Sequence, residues 1–168
     1  MRVLGIDPGQ MSAGFAVREG SELIAHAVLE NPSKRRFPAT IAWVTRVADE
    51  TEKLVAEHAV DLIAVELVRV PNVWHGGRRQ VLNPESLIAT AQVLGAIQAL
   101  TCCPIVEVPP GNMGKGPLGG YPDALVSTGE RRRDNWRACV GTGRLRHARA
   151  AWDQAGHGAI IRLAERQQ

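Results

Sequence analysis

Two acids in this 168-residue chain each close an apolar, strand-like run: Asp7 follows VLGI, and Glu66 follows DLIAV. If those runs are parallel neighbours, the carboxylates stand side by side at one sheet edge. Like charges so placed are costly unless a cation lies between them. Hard oxygen donors with few histidines select magnesium or manganese over zinc. A third acid, Asp153, lies in RHARAAWDQAGHGA, among small residues that let a helix pack closely on a sheet. Two metals about 4 Å apart on such a set would activate water and stabilise the leaving oxygen of a phosphodiester. Singly, the acids have plainer readings: Asp7 opens the Pro8-Gly9 turn, and Glu66 ends a strand in solvent. Together, in this strand order, they point to a metal.

The charge distribution suits a phosphate-rich partner. The net charge is only +3, but basic residues cluster at Lys34-Arg35-Arg36, Arg78-Arg79, Arg131-Arg132-Arg133 and between Arg144 and Arg149. Any one cluster reads equally well as a solvated face. Four in a short chain favour a polyanion, whose condensed counterions are released on binding.

The carboxylates need a scaffold, and the chain supplies one in order. Residues 2–7 read as a buried strand ending at Pro8-Gly9. Ser12 to Val17 and Leu23 to Leu29, separated by Glu19-Gly20-Ser21, predict an antiparallel hairpin. From Thr40 to His58, Ile41, Val44, Val47, Leu54 and Val55 recur at helical spacing. Asp61 to Val65 is a fourth strand, and Val68 to Asn83 reads as a long loop. Pro84 to Leu100 predicts a helix with Asn83 as its N-cap. Ile105 to Val108 is a fifth strand. Pro109 to Pro122, with five Gly and four Pro, excludes regular structure. About Leu145 to Arg166 is helix-like. The fold class is α/β: a mixed five-stranded sheet, three antiparallel strands then parallel ones, with helices on both faces.

Length and composition fit one domain over residues 1–168, with 45% hydrophobic and 22% charged residues. No run approaches the roughly 18 apolar residues of a membrane span. MRVLGIDPG reaches an acid too soon for a signal peptide, which places the protein in the cytoplasm of a bacterium or of a phage-infected host. Cys102, Cys103 and Cys139 match no zinc spacing and suit reduced thiols, the adjacent pair filling core space at a strand start.

The ordered set resembles the RuvC-like Holliday junction resolvases of the RNase H-like superfamily. MRVLGIDPG…SAGFAV is similar to that family's first hairpin and DLIAVE to its second acidic strand. NPESLIATAQVLGA, with Asn83, Ser86, Gln92 and Gly95, is similar to the following helix. RHARAAWDQA is similar to the last, metal-binding helix as phage-type members carry it. The resemblance implies a homodimer, two catalytic Mg2+ ions with Mn2+ able to substitute, and hydrolysis of DNA near a four-way junction. It carries Asp7 and Glu66 over as metal ligands and implies that Lys115, in PPGNMGKGPLGG, lies near the scissile phosphate. That segment is not a P-loop, because Gly116 follows Lys115.

Two departures stand out. The family has an acid or His one turn from its final Asp, whereas Ala150 precedes and Gly156 follows Asp153 by three residues. His157, four residues on and on the same helical face, is the expected substitute ligand. His147, six before and about 120° round, helps only if the helix begins late. The plainer reading of each His is an exposed or capping residue. The family's aromatic wedge, three residues beyond the Glu, is here Arg69. Trp74 in the same loop is then expected either to stack on an unpaired base or to anchor the loop. Arg69, Arg78 and Arg79 are expected to contact phosphates. Leu87, Ala91, Leu94 and Ala99 offer an apolar face for dimerisation.

Three other functions compete. A sugar-kinase or actin-like ATPase opens with a similar hairpin but needs two domains and a far longer chain. A YqgF-like RNase H-fold nuclease would act on RNA. A junction-binding protein weakened in catalysis would keep the fold and lack a ligand.

Overall fold

The structure, a computed structural model, describes residues 1–33, 37–68, 74–75, 78–79, 83–111, 114–165 and 167. Strands β1 (Arg2–Pro8), β2 (Ser12–Glu19) and β3 (Glu22–Glu30) form the expected antiparallel meander. After helix α1 (Ile41–His58), strand β4 (Leu62–Glu66) returns parallel to β1. Short strands β5 (Trp74–His75) and β6 (Arg78–Arg79) precede helix α2 (Pro84–Gln98) and strand β7 (Ile105–Val108), which lies parallel to β4. A one-turn helix, α3 (Thr128–Arg131), and the long helix α4 (Leu145–Glu165) complete the chain. The five-stranded sheet has the order β3-β2-β1-β4-β7. Among the described residues no helix is long and apolar enough to cross a membrane.

The core lies in two layers, one on each side of the sheet. Leu4, Ile6, Phe15, Val17, Ile63 and Val65 pack against Trp43, Val47 and Leu54 of α1 and Val93, Leu94 and Ile97 of α2. The other face carries smaller residues, Val3, Ala16, Leu62 and Ala64, against Ala148, Ala151 and Ala155 of α4. A Cβ on Gly5 would overlap the Ala151 carbonyl, and one on Gly14 the His147 carbonyl. Glycine at these two positions lets α4 lie directly on the strands.

Local signals set the ends of the helices. Thr40 caps α1 by accepting from the Trp43 N–H, and Asn83 caps α2 by accepting from the Glu85 N–H at 3.0 Å. The buried Trp43 indole donates to the Gly9 carbonyl at 3.3 Å, which ties α1 to the turn just after Asp7. Leu94, expected on a dimerisation face, is instead buried against the sheet, while Ala91 and Ala99 are exposed. Cys103 is buried as expected, but Cys102 is exposed.

Two stretches differ from their reading as irregular. Trp74–His75 pairs antiparallel with Arg78–Arg79 inside the expected loop. Leu118–Gly120 forms a 3-10 turn inside the Gly- and Pro-rich segment. Past that segment, Arg149 of α4, fully buried, bonds Glu130 at 3.2 Å and the carbonyls of Leu125 and Thr142. Burial alone would raise the Glu130 carboxyl, but bonds from Ser127 and Thr142 and the Arg149 charge outweigh it and hold it below its usual value. One charge pair thus fastens residues 125–142 to α4.

Candidate active site

Strand parity places the two acids. On β1, Leu4 and Ile6 face α1 and α2, so Val3, Gly5 and Asp7 face α4. On β4, Ile63 and Val65 face α1 and α2, so Leu62, Ala64 and Glu66 face α4. Ile6 pairs with Val65 in the parallel register, so Asp7 and Glu66 follow as neighbours at the C-terminal edge of adjacent strands. Their mutual repulsion adds to the effect of burial on Glu66. Burial first, then the Asp7 charge, pushes its carboxyl up to about 7, partly offset by a bond from Gln154.

Helix α4 supplies one partner to each acid. His147 Nδ1 lies 2.7 Å from Asp7 Oδ2. An ionised carboxylate only accepts, so Nδ1–H donates and Nε2 remains as the ring's second functional atom. Gln154 Nε2 donates to Glu66 Oε2 at 3.0 Å. His147 and Gln154 are seven residues apart, two turns along one helical face. The helix starts at Leu145, late enough for His147 to sit in its first turn over β1.

Asp153, expected as the third acid, is not brought to this pair. One residue corresponds to about 100° of helix rotation, and it is Gln154 that faces the strand edge. Asp153 accepts from the Tyr121 hydroxyl at 3.0 Å and from the Gly114 N–H. Burial raises its carboxyl despite these bonds and the nearby His157 and Arg18 charges. It therefore anchors the segment 114–121 to α4. His157 stays beside Asp153 and against Gly111. Among the described residues no three His, Cys, Asp or Glu side chains gather as a metal cage.

The expected phosphate contacts are placed in part. Lys115 is exposed, next to Gly114, whose backbone lies against Arg146 and Ala150 of α4. Arg69 and the cluster 34–36 lie outside the described residues, as do the side chains of Trp74, Arg78 and Arg79. Arg131, Arg132, Arg133 and Arg137 are exposed, with Arg137 and Arg131 stacked 4.8 and 6.0 Å from the Trp136 ring. The last cluster divides: Arg149 is buried in its ion pair, and Arg144 pairs with Glu30 at 3.4 Å.

The donor set suits a hard divalent cation. Two carboxylates lie together at an edge where no Lys or Arg is paired with either, among the described residues. Beside them the Gln154 Oε1 is buried without a hydrogen-bond partner. Gln154 was not singled out in the sequence, and His147 was weighed only conditionally. The signal for both was their seven-residue spacing together with the strand parity of Asp7 and Glu66.

No protein-family model matches the chain. Over 70 residues it is 40% identical to the crossover junction endodeoxyribonuclease RuvC of Sorangium cellulosum (strain So ce56), a stretch covering 39% of this chain and 37% of that protein. A solved structure of T. thermophilus RuvC in complex with a Holliday junction substrate matches with a TM-score of 0.63 and 17% identity, over 98% of this chain and 96% of that one. A second structure of Thermus thermophilus RuvC matches with a TM-score of 0.51 and 21% identity, over 98% and 97% of the two chains. The chain shares the fold of these two solved structures.

Proposed function

We propose that this chain is a divalent-metal-dependent endonuclease that hydrolyses DNA strands at branch points, a four-way junction above all. The observation that carries this reading is the meeting of Asp7 and Glu66 on the α4 face of a RuvC-like sheet, with His147 bonded to Asp7. The RuvC relative supports the reaction class, and the exposed arginines support a phosphate-rich substrate. Asp7 and Glu66 hold the cation, and the Asp7–His147 bond fixes the tautomer and ring orientation. Bound, Mg2+ or Mn2+ supplies an activated water and a counter-charge for the leaving oxygen. Two ions per site and a homodimer acting in the cytoplasm follow the family pattern.

The test is cleavage of a labelled four-way junction with Mg2+ or Mn2+, alongside fork, linear duplex and RNA substrates. The expected result is junction cleavage, faster with Mn2+, that Asp7→Asn abolishes while junction binding persists. No cleavage in either metal would overturn the nuclease reading, and preferential cutting of RNA would move it to an RNase. One observation favours a second reading, a junction-binding protein with weakened catalysis. Helix α4 gives the pair no carboxylate, since Asp153 is bonded to Tyr121 and Ala150 stands one turn after His147. Tight, Asp7-independent junction binding without cleavage is the outcome that reading requires.

A further inference from the structure

We infer that Gln154 is the α4 ligand of the cation site, its amide oxygen completing the donor set that Asp7 and Glu66 begin. This rests on the reading of that pair as a divalent-metal site.

Gln154 is fully buried, and its two amide atoms are unequally used. Nε2 donates to Glu66 Oε2 at 3.0 Å, whereas Oε1 has no partner. In this orientation the amide N–H meets the Glu66 carboxyl, an acceptor, and it is the amide oxygen that is left over. A buried carbonyl oxygen without a donor is rare in a folded protein. Hard cations also take amide carbonyl oxygens, as neutral members of an oxygen shell beside carboxylates. The one other buried orphan among the described residues is Gln10 Oε1, whose amide is held at Ser86 at the start of α2.

The arrangement of α4 gives the same answer. The helix turns Asp153 to Tyr121 and presents His147 and Gln154 to the two acids, one each. Among the described residues, α4 thus sets an imidazole and an amide beside the two carboxylates and no third acid. An amide oxygen adds a donor to the set without adding charge.

The test is direct metal binding without DNA, by calorimetry with Mn2+ and by the rise in unfolding temperature it causes, at pH 8. Gln154→Leu keeps the volume and loses both amide atoms; its Mn2+ affinity is expected to fall by roughly tenfold or more. Gln154→Glu keeps an oxygen but cannot donate to an ionised Glu66. It is expected to bind Mn2+ at least as tightly as the wild type, because an oxygen ligand is retained and a charge added. If Gln154 only held Glu66 in place, Gln154→Glu would be as weak as Gln154→Leu, and the inference falls. It also falls if Gln154→Leu binds as tightly as the wild type. Asp7→Asn separates the two levels. If it binds Mn2+ as the wild type does, or the wild type does not bind, the metal site itself is misplaced and both readings fail. Far-UV circular dichroism and metal-free unfolding temperature confirm that each variant folds.

Discussion

Replacing Glu66 by Gln removes a group whose ionisation opposes folding in the metal-free protein, and the effect has a definite sign. The Glu66 side chain is 8% exposed, and burial with the Asp7 charge pushes its carboxyl from 4.5 to about 7. In the unfolded chain it ionises near 4.5, whereas in the folded protein it keeps its proton until about pH 7. Between these values the folded state binds more protons than the unfolded state, so stability falls as pH rises. Below that window the group contributes nothing, and above it the penalty is complete. At about 1.4 kcal/mol for each pH unit between the two values, the penalty at pH 8 is about 3 kcal/mol. Glu66→Gln keeps the shape, can still accept the Gln154 N–H through its amide oxygen and cannot ionise. Urea unfolding in EDTA at pH 4.5 and pH 8 should then show the variant gaining about 3 kcal/mol on the wild type across the window. A fixed concentration of Mn2+ at pH 8 should stabilise the wild type more than Glu66→Gln, which offers a neutral oxygen in place of a carboxylate. A stability gap that is the same at both pH values would refute the electrostatic account of this edge.

Three further expectations concern other residues. Asp153→Ala loses the bonds from Tyr121 and Gly114 and should cost about 1–3 kcal/mol while leaving Mn2+ affinity intact; a tenfold loss of affinity would instead return Asp153 to the metal site. Arg149→Ala strands the buried Glu130 and should destabilise by about 3–5 kcal/mol in urea, with Arg149→Met plus Glu130→Leu recovering most of it. A loss within experimental error would show that the 125–142 segment is held by other contacts. Arg78→Ala with Arg79→Ala should weaken binding to every DNA shape and lower the salt slope by up to about two, whereas Trp74→Ala should lose only the preference for junction over duplex. Equal losses on both substrates from Trp74→Ala would make that ring a loop anchor.

The sequence by itself determined the sheet and two of its acids, because the signals there are local. VLGI before Asp7-Pro8-Gly9, DLIAV before Glu66 and Asn83-Pro84 at a helix start each specify an element within a few residues. The alternation of β1 and β4 then puts both acids on one face whatever packs there. The rotation of α4 was not legible in the same way. Ala and Gly recur on nearly every side of that helix, so no apolar stripe marks the buried face, and Asp153 and Gln154 look equally able to reach the sheet. Only contact with Gly5 and Gly14 settles the matter, seating Ala151 and His147 over the strands and turning Gln154, not Asp153, to Glu66. Arg149 was read as part of a phosphate-binding cluster, since nothing in its neighbourhood shows that Glu130, 19 residues earlier, neutralises it in the interior. A charge's partner across the fold is a property of packing, and packing alone decided which basic and acidic residues remain available for chemistry.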